Sequence, residues 1–366
     1  MGGLFFSFNY LHIVMAVRFF YILILSNVFS SYSIAQQLGG NTVFSFMQQP
    51  NSAQLSALGG VNISNISNDV SMSFHNPSLL RPEMDQQLNT SFNNYFAGVR
   101  NYSLTSAFLL SKSKTSIAFG INYFDYGSIT QTDPAGNILG SFRPNDYVVQ
   151  AMASHQYLEH WWYGMSFKFI SSNYGQYKSN GIAVDAGLTY YDDDRSLQAS
   201  FLIKNIGTQL KTYDGSTDKA EIPFDMQLGV TKRLENAPIQ FSLTAQHLQA
   251  FNIYYNDTSL NNTTGNTAAN TKSLTLDNIV SHFIFATQFF IKDEIEVTAG
   301  YNFLNRHDLN LYNSANGLNG FTFGLGVLLN KIHIRYATGF YQQNMFQQIS
   351  LNFTWKGNEL DKVSGF

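Results

Sequence analysis

From Gln87 to Trp355 the chain alternates apolar and polar residues through one segment after another. Successive side chains of an extended strand point to opposite faces, so each segment has one oily side and one wet side. Ile239, Phe241, Leu243 and Ala245 stand opposite Gln240, Ser242, Thr244 and Gln246. Phe224, Met226, Leu228 and Val230 stand opposite Asp225, Gln227, Gly229 and Thr231 in the same way. Ile295, Val297, Ala299, Tyr301 and Phe303 repeat the pattern against Glu296, Thr298, Gly300 and Asn302. About fourteen such segments can be traced: 87–99, 101–111, 116–127, 145–157, 162–173, 181–191, 196–206, 223–233, 238–248, 276–290, 294–303, 320–329, 332–341 and 346–355. Most are near the ~10 residues that a tilted membrane strand needs.

Loop lengths sort by parity. The even-numbered connections are tight: Lys112–Thr115, Leu158–Trp161, Asp192–Arg195, Leu234–Ala237, Ile291–Asp293 and Asn330–Lys331. Every long loop is odd-numbered: Ser128–Pro144, Gly207–Ile222, Gln249–Thr275 and Leu304–Asn319. With both termini periplasmic, all tight turns fall inside and all long loops outside, the asymmetry of bacterial outer-membrane barrels. A soluble sandwich has no reason to sort loops this way. No apolar run after the N-terminus reaches the ~20 residues of a spanning helix, so insertion requires a closed sheet. The expected fold class is all-β: a transmembrane antiparallel β-barrel of about fourteen strands over 87–355. Ile349, Leu351, Phe353 and Trp355 are expected on its lipid face.

Composition agrees with this. Charged residues make up 12% of the chain and aromatics 15%, with no cysteine. Low charge with many aromatics suits a lipid-facing belt with aromatic girdles. A net charge of -3 leaves no footprint for nucleic acid. Without cysteine there is no disulfide or thiol nucleophile, and no cofactor is expected.

Arg18 precedes the apolar run Phe19 to Leu25, and Ser33-Ile34-Ala35 offers a small-x-small site. A charged start, a short apolar core and such a site describe a signal peptide over 1–35, with the true start possible at Met15 and a signal anchor as the alternative. The expected mature chain begins at Gln36 and its polar tail spans 356–366. Asn256 to Lys272 reads as a polar external loop tip.

The segment 36–86 does not read as membrane strand. It contains the small-residue run Ser52 to Gly60 and the turn His75, Asn76, Pro77, where Asn-Pro favours turn initiation. A compact piece ahead of a barrel is expected to thread into the lumen as a hatch, the alternative being a periplasmic flap. Ala57-Leu58-Gly59-Gly60, His75-Asn76-Pro77-Ser78-Leu79-Leu80, Ile203-Lys204-Asn205-Ile206-Gly207-Thr208 and Leu243-Thr244-Ala245-Gln246-His247-Leu248 resemble the PorQ family of the type IX secretion system. The resemblance covers roughly Leu38 to Trp355; the family more often has Ala where this chain has Ser78. PorV and the FadL-type barrels are wider relatives. The resemblance implies a non-enzymatic outer-membrane component that anchors a PorZ-like surface protein. Its partners would be PorU and PorV, in a complex that joins cargo to lipopolysaccharide. The long loops would be the docking surface. A FadL-like carrier of hydrophobic molecules is the alternative, with Gly164, Gly181, Gly187, Gly300, Gly324 and Gly326 as candidate strand kinks. A generic porin is the third reading, which the hatch opposes.

Catalytic motifs are weak. Ser111 to Lys114 and Ser216 to Lys219 satisfy S-x-x-K, but the accompanying S-D-N and K-T-G elements are missing. Asp192-Asp193-Asp194 has no following ligand set for calcium. His155, His247 and His333 lack metal-ligand spacing and read as structural. The polar faces say more. Lys168, Asp185, Lys204, Asp225, Glu296, His333 and Arg335 all fall opposite the lipid stripe, with both signs mixed. They are candidate lumen charges, expected to pair with one another or to line a polar conduit.

Overall fold

The computed structural model describes residues 42–251, 253, 275–309 and 316–355. The expected signal peptide, the mature start, the loop tip 256–272 and the tail 356–366 lie outside the described residues.

Sixteen strands are described, beginning with β1 (Gln87–Asn94), β2 (Arg100–Leu110), β3 (Thr115–Asp125), β4 (Ile129–Thr132), β5 (Ile138–Phe142) and β6 (Asn145–Tyr157). They continue with β7 (Trp161–Tyr174), β8 (Tyr177–Asp192), β9 (Leu197–Lys211), β10 (Asp225–Arg233) and β11 (Ile239–Ala245). The last are β12 (Phe283–Ile291), β13 (Ile295–Asn302), β14 (Phe321–Leu328), β15 (Ile332–Tyr341) and β16 (Asn344–Thr354). Fourteen of them form one closed antiparallel barrel in sequence order, with β4 and β5 apart as a two-stranded sheet. The seam joins β1 to β16, from Gln87 opposite Thr354 to Asn94 opposite Gln347.

Closure leaves no sheet edge inside the membrane, which is the condition for a sheet to stand in lipid. The alternation then decides which face is which. On β7, Tyr163, Met165 and Phe167 point outward and are exposed, while Ser166, Lys168 and Ile170 are buried inward. Ile349 and Leu351 on β16 likewise face out. An apolar exterior around a polar interior is the inverse of a soluble protein, and it defines a membrane-embedded barrel of outer-membrane type.

Several elements differ from the sequence expectation, and β9 continues to Lys211, into the expected loop Gly207–Ile222. Residues 276–281 form a short helix, Leu276–Ser281, rather than the start of a strand. Thr275 caps it by accepting from Asn278 N, and Asp277 sits in its first turn, where the helix dipole favours an acid. The long loop Ser128–Pro144 carries the β4–β5 hairpin, turned by Asp133, whose carboxylate accepts from Ala135 N and Asn137 N at 2.9 and 2.8 Å. A further short helix, Phe303–Asp308, follows β13.

The β8–β9 ladder slips at two points, one between Asn180 and the candidate kink Gly181 and one between Val184 and Ala186. Val184 faces Ile206 and Ala186 faces Ile203, so Asp185 alone is opposed by both Lys204 and Asn205. Asn205 takes a φ of 59°, the left-handed conformation that a bulge of this kind requires. The bulge turns three polar side chains toward the same part of the lumen.

Candidate functional site

The interior of the barrel is built jointly by the wall and by residues 44–86. A helix over Ala53–Ala57, capped by Ser52, lies against the inward faces of β13 to β16. Ala53 N donates to Ser350 Oγ at 2.7 Å, Thr322 Oγ1 donates to the Ala57 carbonyl at 2.9 Å, and Asn302 Nδ2 donates to the Gly59 carbonyl at 3.1 Å. Farther along, Asn65 Nδ2 donates to Gln288 Oε1 at 2.7 Å and Ser64 meets Thr231 at 2.8 Å. Polar groups that a water-filled lumen would hydrate are here satisfied by another part of the same chain.

The His75-Asn76-Pro77 turn is held by a set of short side-chain hydrogen bonds. Asn76 Oδ1 accepts from Ser78 N at 3.0 Å and Ser78 Oγ at 2.7 Å, while its Nδ2 donates to the Ile63 carbonyl at 2.7 Å. Pro77 opens a 3-10 turn, where its missing N–H costs nothing. Ser78 Oγ also meets Thr189 Oγ1 at 2.7 Å, so this hydroxyl ties the turn to β8. The turn presses on the wall at two glycines. A Cβ on Gly164 would overlap the Pro77–Ser78 backbone, and one on Gly187 would overlap the Asn76 and Ser78 side chains. Gly300 and Gly324 have the same relationship to Gly59 and Ala57. The strand ladders at these glycines stay in register, so each marks a close approach of the segment rather than a kink opening the wall. Gly326 instead lies beside Arg335 and Glu296.

The candidate lumen charges form two groups. In the first, Lys168 Nζ stands 2.6 Å from Asp185 Oδ2 and donates to Asn205 Oδ1 at 2.8 Å. Asp185 Oδ1 accepts from Asn205 N at 2.8 Å, so the bulge is held from both sides. Lys204 Nζ reaches His75 Nδ1 at 2.7 Å. An ammonium can only donate, so this imidazole nitrogen accepts and His75 is neutral. Asp225 pairs with His247, whose Nδ1 lies 3.3 Å from Oδ1. Burial disfavours the imidazolium of His247, but the Asp225 carboxylate outweighs it and raises the pKa above the ordinary value.

In the second group Arg335 reaches Asp69 at 2.7 Å and Glu296 at 3.3 Å, all three side chains being almost fully buried. Glu296 Oε1 also accepts from Gln288 and Thr298, and Asp69 Oδ1 from Ser71 N and Asn89. His333 is half-buried beside this group, its Nδ1 without a partner among the described residues.

Sequence reasoning missed Asp69. It is a lone acid in an Asn/Ser-rich stretch that belongs to no strand, so alternation gives no signal for it. Asp146 was missed as well. It accepts from Tyr126 and Tyr174 hydroxyls at 2.6 and 2.8 Å near the long-loop end. Of the S-x-x-K matches, Ser111 to Lys114 forms an exposed tight turn and Ser216 to Lys219 lies in a largely exposed loop. His155 meets Thr115 at 3.3 Å.

Three cavities bear on function. One of about 240 Å³ at the long-loop end is lined by Gln49, Lys204, Asp225, Gln246, Asn302 and Tyr341 among others. A second there, of about 290 Å³, is aromatic, with Phe46, Tyr95, Phe96, Phe124, Tyr126 and Tyr341. The third, about 680 Å³ at the tight-turn end, is lined by Arg81, Glu83, Trp162 and Asp193 among others. The Arg81 guanidinium stacks 4.1 Å above the Trp162 ring at that end. The third cavity shares no lining residue with the other two.

The fold defines an outer-membrane-type antiparallel β-barrel. No family model matches the chain, and no curated protein matches it. Among solved structures it is similar to a deltaS2 mutant of the TodX monoaromatic hydrocarbon channel, at 13% identity over 83% of this chain and 97% of that one, with a TM-score of 0.47. The CymD monoaromatic hydrocarbon channel is similar at 11% identity over 84% and 97% of the two chains, with a TM-score of 0.46. A FadL homologue from Pseudomonas aeruginosa is similar at 10% identity over 84% and 98%, with a TM-score of 0.46.

Proposed function

We propose that this chain is a sealed barrel that works from its outer surface, anchoring a surface protein in the outer membrane. This is the role implied by the motifs it shares with the PorQ family of the type IX secretion system. The supporting observation is the content of the lumen. Segment 44–86 serves as a hatch, joined to the wall by the buried Arg335–Asp69 pair and by the Lys204–His75 hydrogen bond. A solute moving along the axis would have to strip these contacts, and removing one partner of a buried pair costs ~3–5 kcal/mol. A barrel filled in this way offers its loops rather than its bore.

The docking surface of this reading is the long-loop end, with the part of Gly207–Ile222 that lies beyond β9, which runs to Lys211, and with Gln249–Thr275 and Leu304–Asn319. The β4–β5 hairpin adds Ile138 and Leu139, 75% and 63% exposed, to that surface. The partner is a PorZ-like protein, with PorU and PorV and lipopolysaccharide in the same assembly. Deleting each loop in turn and recovering the barrel from native membranes tests this. The expected result is an intact barrel that loses a stoichiometric surface protein in at least one deletion. Retention in all of them overturns the reading.

A second reading, a FadL-like carrier of hydrophobic molecules, is favoured by the aromatic cavity above Phe46. The similar TodX and CymD proteins are monoaromatic hydrocarbon channels. Mass spectrometry of the gently extracted barrel separates the two readings. A co-purified fatty acid or other lipid without any protein partner would favour the carrier.

A further inference from the structure

The largest of the three cavities, about 680 Å³, opens at the tight-turn end, which faces the periplasm in a barrel of this type. Residues 66–68 with Arg81, Glu83 and Met84 form one side, and the β6–β7 and β8–β9 turns form the other. Its floor is Arg81 stacked on Trp162, 5% and 8% exposed. Its rim carries Glu83, Glu159, Asp193 and Asp194, all exposed. The two turns hold each other, since Tyr191 Oη donates to Asp193 Oδ1 at 2.6 Å and His160 Nδ1 lies 3.0 Å from the Tyr191 carbonyl. The nearby Arg195 is paired with Asp192 at 3.5 Å and does not line the cavity. One guanidinium thus stands against four carboxylates, and the lining stays negative whether or not His160 carries a proton. Arg81 also differs from the other buried cations described. Lys168, Lys204 and Arg335 are each met by side chains. Arg81 Nη1 donates to the Ser78 and Leu80 carbonyls, but its Nε and Nη2 have no acceptor and no acid pairs with it among the described residues.

We propose that this cavity binds a basic polypeptide segment on the periplasmic side. Lysine or arginine side chains of the segment meet the four rim carboxylates, and its backbone carbonyls reach the open Nε–Nη2 edge of Arg81. Burying that edge without an acceptor is costly, and a neutral carbonyl completes it without adding negative charge. A simple anion would reach Arg81 only past four like charges. A metal ion fits no better, because among the described residues no three of these acids converge closely enough to hold one. A polypeptide brings cations and neutral acceptors together, spread along its length as the rim acids are. The cavity is of the size that takes a ligand larger than one side chain. The inference rests on neither reading of the function, since the site lies at the opposite end from the long loops.

Isothermal titration of the full barrel in a non-ionic detergent tests it with three probes. They are a blocked peptide of alternating lysine and glycine, its glutamate counterpart, and spermidine, a polycation without carbonyls. The expected result is saturable binding of the lysine peptide that weakens as salt screens the rim. Spermidine should bind at least about tenfold more weakly, and the glutamate peptide not at all. Glu159→Gln combined with Asp194→Asn changes only exposed side chains, so heat-modifiable gel migration should stay that of the wild type while lysine-peptide affinity falls at least about tenfold. Arg81→Lys keeps the charge and loses the guanidinium edge, so it should weaken the lysine peptide and leave spermidine unchanged. Equal binding of spermidine and the lysine peptide overturns the role of Arg81, and equal binding of the glutamate peptide overturns the charge selection. No lysine-peptide binding, or binding unchanged in the Glu159→Gln, Asp194→Asn double variant, overturns the site.

Discussion

Arg335 on β15 and Asp69 in the N-terminal segment meet at 2.7 Å, although 266 residues separate them in the chain. Glu296 on β13 completes the triad from the other side of the same guanidinium. One cation thus joins two strands of the wall to the material inside it.

Arg335→Leu leaves two carboxylates buried without their cation. Truncating one partner of a buried ion pair costs ~3–5 kcal/mol, so the barrel should unfold at clearly lower urea concentration. The temperature at which it loses its compact gel mobility should fall as well. Asp69→Asn should be milder, because Glu296 still neutralises the guanidinium. Equal mobility profiles for wild type and Arg335→Leu would refute the structural role of the triad.

Gly187→Val places a side chain where Asn76 and Ser78 now sit. Overpacking of this kind typically costs ~1–3 kcal/mol, and here the N-terminal segment can give way more easily than a paired strand. The expected phenotype is a folded barrel in which residues 42–86 become sensitive to protease. In planar bilayers the wild type should be electrically silent, and Gly187→Val should show conductance steps. A silent, protease-resistant Gly187→Val would mean that the contact is not limiting.

Phe167 lies midway along β7 on the outward face and is exposed. Phe167→Arg should cost ~2–4 kcal/mol if that face meets the bilayer midplane, measured by reversible folding into lipid vesicles. The same substitution on a soluble barrel would be nearly neutral. A cost below the range would place β7 differently in the membrane.

The His247 pKa is raised, so its contribution has a defined sign. The Asp225 pair is fully stabilising below the ordinary imidazole value of about 6.5 and is lost as pH rises through the higher folded value. The contacts at the β10–β11 rim, where His247 N also donates to Asp225 Oδ1 at 2.7 Å, should therefore loosen on the alkaline side. An NMR titration of the His247 ring should give a midpoint above 6.5, and Asp225→Asn should lower it. No change in Asp225→Asn would remove Asp225 as the cause.

Most of the wall was legible because a barrel strand writes its inside and outside directly into alternate residues. The tight turns were legible for a related reason, since two strands joined in antiparallel register leave little room between them. The β4–β5 hairpin was missed although Asp133-Pro134-Ala135-Gly136 carries turn residues, because both of its strands are exposed and show no alternation. The helix Leu276–Ser281 reads as strand in the sequence because its apolar residues run straight into those of β12. The inward position of the candidate charges followed from parity. Their partners did not, because a one-residue slip between β8 and β9 sets Asp185 against both Lys204 and Asn205. Parity also cannot see Asp69, which belongs to no strand.

The bond from Ala53 N to Ser350 Oγ spans 297 residues and also has a bearing on assembly. Residues early in the chain are bonded to the last strand, so the contents of the lumen are completed only once β16 is present. Contacts this distant in sequence form slowly, because the loop they close must lose its freedom before any of them contributes. A barrel that closed without the N-terminal segment would have its polar lining facing water instead of residues 44–86. Assembly time, more than final stability, is where changes in residues 44–86 should first be felt.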